Sequence, residues 1–308
     1  MINTYLGQQI KTNFPYKPTF EQEKVVKILA DFLFCRKMES LFLLKGYAGT
    51  GKTSLIGALV KTLDQLEQKC ILLAPTGRAA KVFSHYAGHP AYTIHKKIYR
   101  QKSFSNEMDN FSMNDNLHQH TLFIVDEASM IDLYLMEALL RAMRPGTRLI
   151  MIGDANQLPP VGAGCIFKDI IVSERFSTVE LTHIFRQARE SLIVTNAHTV
   201  NRGEHIDLRK KDGDFFFLPT ETDEQTASVI QNLCKTRLPR AYGVSVFDGI
   251  QVITPSRKGQ NGTEMLNTAL QAAINPFAYG KKEKKFHDTV YREGDKVMQN
   301  KNNYDIPW

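Results

Sequence analysis

A glycine-rich segment at residues 46–53 constrains the fold of this chain more than any other feature. It reads Gly-Tyr-Ala-Gly-Thr-Gly-Lys-Thr, follows the apolar run Leu41–Leu44, and precedes a helix-forming stretch from Ser54 to Leu66. In the order strand, G-x-x-x-x-G-K-[ST], helix, backbone N–H groups and the helix N-terminus surround phosphate groups. The sequence therefore predicts a parallel strand that ends in a nucleotide-binding loop, called the phosphate loop below.

The side chains of the phosphate loop suit a nucleoside triphosphate. Glycines let the backbone approach an anion closely. Lys52 supplies a positive charge to the β- and γ-phosphates, and the Thr53 hydroxyl is a suitable ligand for Mg²⁺. The residues that we expect to contact the nucleotide are Gly46, Gly49, Thr50, Gly51, Lys52 and Thr53.

Short apolar runs alternate with helix-like segments through the first 180 residues. The predicted strands are Leu41–Leu44, Ile71–Ala74, Leu122–Val125, Leu149–Ile152 and Val179–Leu181, and the predicted helices are Glu21–Phe34, Ser54–Gln68, Gly77–Tyr86 and Met130–Met143. This alternation indicates an α/β fold with a parallel sheet and helices on both faces. Ligands of such sheets bind at the carboxyl ends of the strands.

The 308 residues, 43% of them hydrophobic, are enough for two domains. We expect an ATP-binding domain at residues 1–185 and a second domain at residues 186–308. The polar segment 100–120 interrupts the first domain and is either a hairpin or a disordered loop. In the second domain we predict helices at Ser191–Asn201, Asp223–Cys234 and Glu264–Ala273 and a strand at Gly249–Thr254.

Two acids, Asp126 and Glu127, follow the predicted strand Leu122–Val125 directly. At the ligand edge of a parallel sheet, Asp126 is suited to hold Mg²⁺ and Glu127 to deprotonate an attacking water molecule. Such a pair is a weak signal alone, since surface acids are common. Together with the phosphate loop it indicates nucleotide hydrolysis.

Two further residues are candidates for sensing or stabilising the terminal phosphate. Gln157 lies in the proline-containing stretch 153–162, where its amide is suited to bond a phosphate oxygen, although such a stretch is also typical of a plain turn. Arg186 begins the second predicted domain and is suited to stabilise transition-state charge, although a structural salt bridge is the alternative.

Composition limits partners and compartment. There are 39 Lys and Arg residues against 32 Asp and Glu, a formal net charge of +7, which favours a polyanionic partner. Four cysteines without C-x-x-C spacing indicate reduced thiols and a cytoplasmic protein, and no apolar run is long enough to cross a membrane. His85 and His89 are four residues apart, but Gly88 and Pro90 interrupt the helix that would align them, so we predict no transition-metal site there.

These blocks, in this order, resemble the superfamily-one DNA helicases of the RecD-like branch, which move 5′ to 3′. The resemblance identifies Gln22 as an adenine contact. It places Lys52, Glu127, Gln157 and Arg186 in catalytic roles between two RecA-like domains, the second incomplete. It also implies contacts to single-stranded DNA from Pro75, Thr76, Arg78, Lys81, Thr93, His95, Thr254, Pro255 and Arg257.

The resemblance implies an ATP- and Mg²⁺-dependent helicase that acts on single-stranded DNA or on a duplex with a single-stranded tail. Its partners are expected to be a nuclease or a single-strand-binding protein. The family's last two motifs should follow the segment Gly294–Gln299 and residues 302–305 but are not present, so we expect a fragment of a longer helicase.

Three functions stay open at this stage. The first is a DNA-stimulated ATPase that translocates. The second is the helicase subunit of an exodeoxyribonuclease V-type complex or of a conjugative relaxase. The third is a nucleotide-gated module that grips single-stranded DNA without moving. By location and by the family resemblance, the aromatic residues Phe104 and Phe111 are candidates for a strand-separating pin.

Overall fold

The computed structural model describes residues 2–34, 40–47, 49–101, 111–113, 121–144, 146–183, 185, 190–211 and 213–298. The chain divides into two compact units, Met1–Phe216 and Phe217–Trp308. This division comes later in the chain than the predicted boundary after residue 185, and the assignment of 186–308 to one domain stays a prediction. Within the described ranges, no helix has the length and apolarity needed to cross a bilayer.

The first unit contains a six-stranded parallel sheet with the strand order β3-β2-β6-β7-β1-β8. All five strands predicted from the apolar runs are present. The short strand β3 was not predicted, because its three residues form no apolar run. The strands of this unit are β1 (Leu41–Gly46), β2 (Cys70–Ala74), β3 (Ala91–Thr93), β4 (Tyr99–Gln101), β5 (Phe111–Met113), β6 (Leu122–Val125), β7 (Arg148–Gly153) and β8 (Ser177–Leu181).

Alternate residues of the central strands enter two separate cores. Phe42 and Leu44 of β1 pack into one cluster, and Leu41 and Leu43 pack into the other. Successive side chains of a strand point to opposite faces, so a run of apolar residues is buried only when both faces are covered. The two cores therefore confirm the predicted layering of helices on both sides of the sheet.

Helices cover both faces of this sheet. Those of the first unit are α1 (Ile2–Thr12), α2 (Phe20–Phe34), α3 (Lys52–Gln65), α4 (Gly77–Ala87), α5 (Ile94–Ile98), α6 (Leu133–Ala142), α7 (Ile166–Val172) and α8 (Leu192–Asn201). Side-chain oxygens cap several N-termini: Thr76 accepts a bond from the N–H of Ala79, and Asp132 from that of Leu135. Helix α1, which was not predicted, buries Leu6 and Ile10 on one face.

Only part of the inserted segment 100–120 is described. Strands β4 and β5 pair antiparallel, with Tyr99 opposite Met113 and Gln101 opposite Phe111, which agrees with a hairpin. Phe104 lies outside the described residues. The proposed strand-separating pin therefore stays a prediction.

The second unit is built differently from the first. Its elements are α9 (Asp223–Asn232), a π-helical turn (Leu233–Arg237), α10 (Leu238–Tyr242), α11 (Val246–Gly249), α12 (Thr263–Ile274), β9 (Glu283–Phe286) and β10 (Thr289–Arg292). Strands β9 and β10 form an antiparallel pair, and no parallel strand occurs within the described part of this unit. The predicted helices are present.

The predicted strand Gly249–Thr254 is wrong. Gly249 ends the short helix α11, residues 250–254 adopt no regular structure, and the side chain of Ile253 is 89% exposed. A strand needs a hydrogen-bonded neighbour, and the described part of the second unit offers none to this segment. The second RecA-like domain stays a prediction.

Candidate nucleotide-binding site

The phosphate loop joins β1 to α3 in a conformation that requires glycine. Gly49 and Gly51 have φ angles of 78° and 81°, in the left-handed region that side chains disfavour. A Cβ atom at Gly51 would lie 2.5 Å from Nε2 of Gln22. The buried Thr50 hydroxyl donates a 2.8 Å bond to the carbonyl oxygen of Tyr47. The two glycines and the Thr50 hydrogen bond therefore account for the conformation of the loop.

Lys52 begins α3 and turns its amine back into the phosphate loop. Its Nζ donates to the carbonyl oxygens of Gly46, at 2.5 Å, and Tyr47, at 2.7 Å. Burial lowers the pKa of Lys52, while the charges of Asp154, Asp126 and Glu127 act against that shift. The amine thus lies within the field of three acids and holds carbonyl bonds that a phosphate group can replace.

The two predicted acids lie at the carboxyl end of β6. Asp126 is partly buried, and its Oδ1 accepts a 2.9 Å bond from the N–H of Glu127. Burial, reinforced by the charge of Glu127, raises the pKa of Asp126 to about 6, and the charge of Lys52 opposes the shift. Glu127 has a φ angle of 52°, a strained conformation for a side-chain-bearing residue. Strain of this kind is typical of functional sites.

Gln157 is hydrogen-bonded to the turn that carries Asp126 and Glu127, called the acidic turn below. Its Oε1 accepts a 2.9 Å bond from the hydroxyl of Ser129, which lies two residues after Glu127. Asp154, at the end of β7, accepts a 2.9 Å bond at Oδ1 from the N–H of Asn156, which shapes the same loop. The structure therefore links the predicted sensor to Ser129, two residues after the predicted catalytic acid.

Gln22 is buried next to the phosphate loop. Its Oε1 accepts a 3.0 Å bond from the N–H of Thr19, and its own N–H donates to the Thr19 hydroxyl at 3.3 Å, an arrangement known as a capping box. Its Nε2 has no hydrogen-bond partner. A buried donor without a partner is unfavourable, so this amide fits a ligand that supplies an acceptor.

Aromatic rings lie against the same loop. The ring of Phe185 lies 2.9 Å from where a Cβ atom of Gly51 would be. Tyr16 packs edge-on against Phe185 with ring centroids 5.9 Å apart, and its hydroxyl donates to Ser54 at 2.6 Å. Tyr47 of the loop packs edge-on against His198 of α8, with ring centroids 4.2 Å apart.

Glu21 fixes α2 to the segment that leads to Phe185. Its carboxylate accepts bonds from the N–H of Thr182 at 3.0 Å, from the Thr182 hydroxyl at 2.6 Å and from the N–H of His183 at 2.9 Å. The bond from the Thr182 side chain is the main reason that the pKa of Glu21 is lowered. This contact helps to position Phe185, which forms with Tyr16 the aromatic wall of the site.

The predicted DNA contacts of the first unit gather at one edge of the sheet. Ala74 and Thr93 end β2 and β3 and lie side by side in register. Pro75 and Thr76 follow β2 directly, so the sheet brings the two motifs together. Arg78, Lys81 and His95 are exposed nearby on α4 and α5. The hydroxyls of Thr76 and Thr93 accept bonds from backbone N–H groups, each at 3.2 Å.

Comparison with known families agrees with this geometry. A family model described as an AAA domain matches residues 21–214, which is more than half of the chain. This chain belongs to the AAA domain family. A second model, described as the SH3 domain of ATP-dependent RecD-like DNA helicases, matches residues 266–306. The predicted RecD-like resemblance is confirmed.

Relatives of this AAA domain protein include two RecD proteins. The chain is 34% identical over 271 residues to the ATP-dependent RecD2 DNA helicase of Deinococcus radiodurans, covering 86% of this chain and 34% of that protein. It is 26% identical over 273 residues to the RecBCD enzyme subunit RecD of Mycolicibacterium smegmatis, covering 76% of this chain and 48% of that subunit. The chain thus spans between a third and a half of the length of these relatives.

Among solved structures, Pif1 helicase from Candida albicans is similar over 70% of this chain and 55% of that one. The sequence identity is 21% and the TM-score is 0.45, which is too low to support an inference.

Several predicted residues of this AAA domain protein lie elsewhere or outside the described ranges. In the second unit, the hydroxyl of Thr254 donates a 2.7 Å bond to the carbonyl oxygen of Asn261, and Pro255 follows it. Arg257 is exposed, with a guanidinium nitrogen 4.0 Å from a carboxylate oxygen of Glu264. Arg186 is not among the described residues, so its role stays a prediction.

Sequence reasoning missed parts of the site. Asp154 contributes to the field around Lys52, and its position after β7 repeats the signal that identified Asp126 after β6. No sequence motif identifies Tyr16 or Phe185 as part of the site. Their rings are in contact only because the fold brings distant segments together.

Proposed function

We propose that this chain is the ATP-hydrolysing part of a RecD-like DNA helicase, and that single-stranded DNA stimulates its ATPase activity. The carrying observation is the position of Lys52, whose amine lies in the phosphate loop within the field of Asp126, Glu127 and Asp154. One amine facing acids from two strand ends is the arrangement that a magnesium-bound triphosphate would complete.

The residues present fit ATP and Mg²⁺. The partly buried carboxylate of Asp126, with its raised pKa, lacks sufficient compensation for its charge, and a hard cation would supply it. Thr53, in the first turn of α3, would contribute a hydroxyl. The unpartnered Nε2 of Gln22 would donate to an acceptor on the adenine ring. Bound Mg²⁺ would neutralise charge on the β- and γ-phosphates.

The remaining residues have distinct roles in the proposed hydrolysis. Lys52 exchanges its carbonyl bonds for phosphate oxygens, and Glu127 orients and deprotonates the attacking water. Gln157 bonds a terminal phosphate oxygen and transmits its loss through Ser129 to the acidic turn. Arg186 stabilises the charge that develops during the reaction.

The proposal of DNA binding rests on exposed basic residues beside the carboxyl ends of the strands, called the nucleotide edge below. Arg78 and Lys81 lie in the first turns of α4, close to the strand ends that carry the site. Such residues bind phosphates without reading bases, so affinity should fall steeply with salt. Arg257 in the second unit is a further candidate. Movement in the 5′ to 3′ direction comes from the family resemblance.

A second candidate is the helicase subunit of a nuclease complex. One relative is named as a RecBCD enzyme subunit. In that case a nuclease would be a partner of this chain, and a single-strand-binding protein a further one.

ATP turnover by the purified chain, with and without single-stranded DNA, tests the proposal. We expect DNA to raise the rate at least about tenfold, and Lys52→Ala to lower it by about 10²–10³ because electrostatic stabilisation of the phosphates is lost. Lys61→Ala is the matched control, since Lys61 is exposed on the same helix. Hydrolysis that is equal in Lys52→Ala and the wild type would contradict the catalytic assignment.

The same assay separates a motor from a binding module. DNA-stimulated turnover supports a motor. Tight, ATP-dependent DNA binding with no turnover would instead support the nucleotide-gated module.

A further inference from the structure

A second cluster of metal-binding side chains lies away from the nucleotide site. Asp64, Cys70 and His89 each offer one ligand atom, and these atoms all lie within 4.8 Å of one another. The Nδ1 atom of His89 is 3.1 Å from Oδ2 of Asp64. Neither the catalytic assignments nor the DNA contacts involve any of the three residues.

The fold brings these residues together from three elements. Asp64 is near the C-terminal end of α3, Cys70 is the first residue of β2, and His89 follows α4. Gly88 ends α4 with a φ angle of 65°, which turns the chain towards α3. Helices α3 and α4 approach closely, since a Cβ atom at Gly57 would lie 3.3 Å from the carbonyl oxygen of Tyr86.

One separation in this cluster is close to that of a tetrahedral metal site, and the others are at most 4.8 Å. Ligand bonds of about 2.0–2.3 Å in a tetrahedral zinc site place neighbouring ligand atoms about 3.3–3.6 Å apart. The nitrogen and oxygen atoms here are already 3.1 Å apart. The Cys70 sulfur lies within 4.8 Å of both, so binding a zinc ion would require it to move closer by up to about 1.5 Å. The side chains of His89 and Asp64 are 28% and 46% exposed, so an ion can enter from solvent.

We propose that Asp64, Cys70 and His89 bind a zinc ion, with water in the fourth position. Thiolate and imidazole ligands select zinc over magnesium, which prefers oxygen atoms throughout. The ion would cross-link the end of α3, the start of β2 and the segment after α4. Because three elements would share one ion, its main effect would be to stabilise this end of the sheet.

The site is separate from the phosphate loop. Cys70 starts β2, whereas the nucleotide edge lies at the opposite, carboxyl ends of the strands. Asp64 lies twelve positions after Lys52 in α3, about 18 Å along a helix. Burial, with the charge of Asp64, raises the pKa of the Cys70 thiol to about 11, so an unbound thiol is protonated at neutral pH and we propose no nucleophilic role for it.

Cobalt titration of the purified chain, stripped of metal with a chelator, tests the proposal. Co²⁺ takes the place of zinc and gives an intense charge-transfer absorption only when a thiolate binds it. We expect this absorption to saturate at one Co²⁺ per chain, and Zn²⁺ to displace it. Cys70→Ser should abolish the band and His89→Ala should weaken Co²⁺ binding at least about tenfold. His85→Ala is the matched control, because His85 lies on α4 outside the cluster.

Two further measurements guard against misfolding and against adventitious binding. Circular dichroism should show that Cys70→Ser and His89→Ala keep the wild-type fold in the presence of chelator. Zn²⁺ should raise the melting temperature of the wild type and of Lys52→Ala, but not that of Cys70→Ser. A thiolate band that persists in Cys70→Ser, or the absence of any such band in the wild type, would overturn the proposal.

Discussion

Two carboxylates of the first unit show opposite responses to their surroundings. Glu21 accepts three hydrogen bonds from the segment after β8, and its pKa is lowered. Asp126 accepts one bond from the adjacent N–H group, is more deeply enclosed, and has its pKa raised to about 6. The fold stabilises the ionised form of Glu21 and destabilises that of Asp126. The comparison separates an acid that stabilises the structure from one that we propose as a ligand of Mg²⁺.

The two acids should therefore affect stability oppositely as pH changes. For Glu21, with its lowered pKa, the stabilisation is present above the unfolded pKa of about 4.5 and is lost as pH falls through the folded value. For Asp126, with its raised pKa, the favourable contribution is present below about 3.8 and is lost as pH rises through about 6. At neutral pH, the ionised side chain of Asp126 therefore lowers the free energy of unfolding.

The largest expected effect concerns the acid next to Asp126. Glu127→Gln should lower the rate of ATP hydrolysis by about 10²–10⁴, because general-base catalysis is lost, while nucleotide affinity changes little. Single-turnover hydrolysis and fluorescent-nucleotide binding measure the two quantities. Glu137→Gln, on the exposed face of α6, is the control. A variant that hydrolyses ATP as the wild type does would remove Glu127 from the mechanism.

Asp126→Asn tests the destabilised half of the comparison. Without nucleotide at pH 7.5, the free energy of unfolding of the variant should be about 1–3 kcal/mol higher than that of the wild type, because a partly buried charge is removed. The difference should shrink as pH falls through 6 towards 4. Urea unfolding across this pH range measures it, and an unchanged or lower free energy at pH 7.5 would refute the assignment.

Glu21→Ala tests the stabilised half. We expect the free energy of unfolding to fall by about 1 kcal/mol at pH 7.5, a modest value because Glu21 is partly exposed to solvent. The loss should diminish below pH 4.5, the reverse of the trend for Asp126→Asn. The same urea experiment applies, and parallel pH trends for the two variants would break the comparison.

Gln22→Glu should have the smallest effect. The carboxylate keeps the oxygen that accepts from Thr19 in the capping box, but the unpartnered Nε2 donor is lost. We expect the preference for ATP over CTP to fall about threefold to tenfold, as judged by kcat/KM, since one hydrogen bond is removed. An unchanged preference would mean that Gln22 serves only to cap α2.

The sheet could be predicted from the sequence because its strands are buried on both faces. Continuous apolar runs such as Leu122–Val125 have few alternative structures, and the parallel topology then places Asp126 at the ligand edge. The segment Gly249–Thr254 contains the β-branched residues Ile250, Val252 and Ile253, but among the described residues it has no neighbouring strand, which sequence alone does not reveal. Strand pairing, unlike strand propensity, depends on distant parts of the chain.

The parts of the candidate site that lie in sequence motifs could be predicted, whereas the parts that distant segments form together could not. Lys52, Asp126 and Gln157 each lie in a recognisable segment. Tyr16 and Phe185 are far apart in sequence and form the aromatic wall only after α2 and β8 are placed. The same applies to the cluster of Asp64, Cys70 and His89, because its three side chains come from different elements and show no regular spacing in the sequence.

The central claim is that ionised Asp126 destabilises the protein without ligand and stabilises it when Mg²⁺ and a nucleotide are bound. The most direct test compares the free energy of unfolding of the wild type and Asp126→Asn at pH 7.5, with and without saturating Mg²⁺ and ADP. We expect a reversal: the variant is more stable without ligand, and the wild type is more stable with it. A variant that stays more stable in the presence of Mg²⁺ and ADP would contradict it.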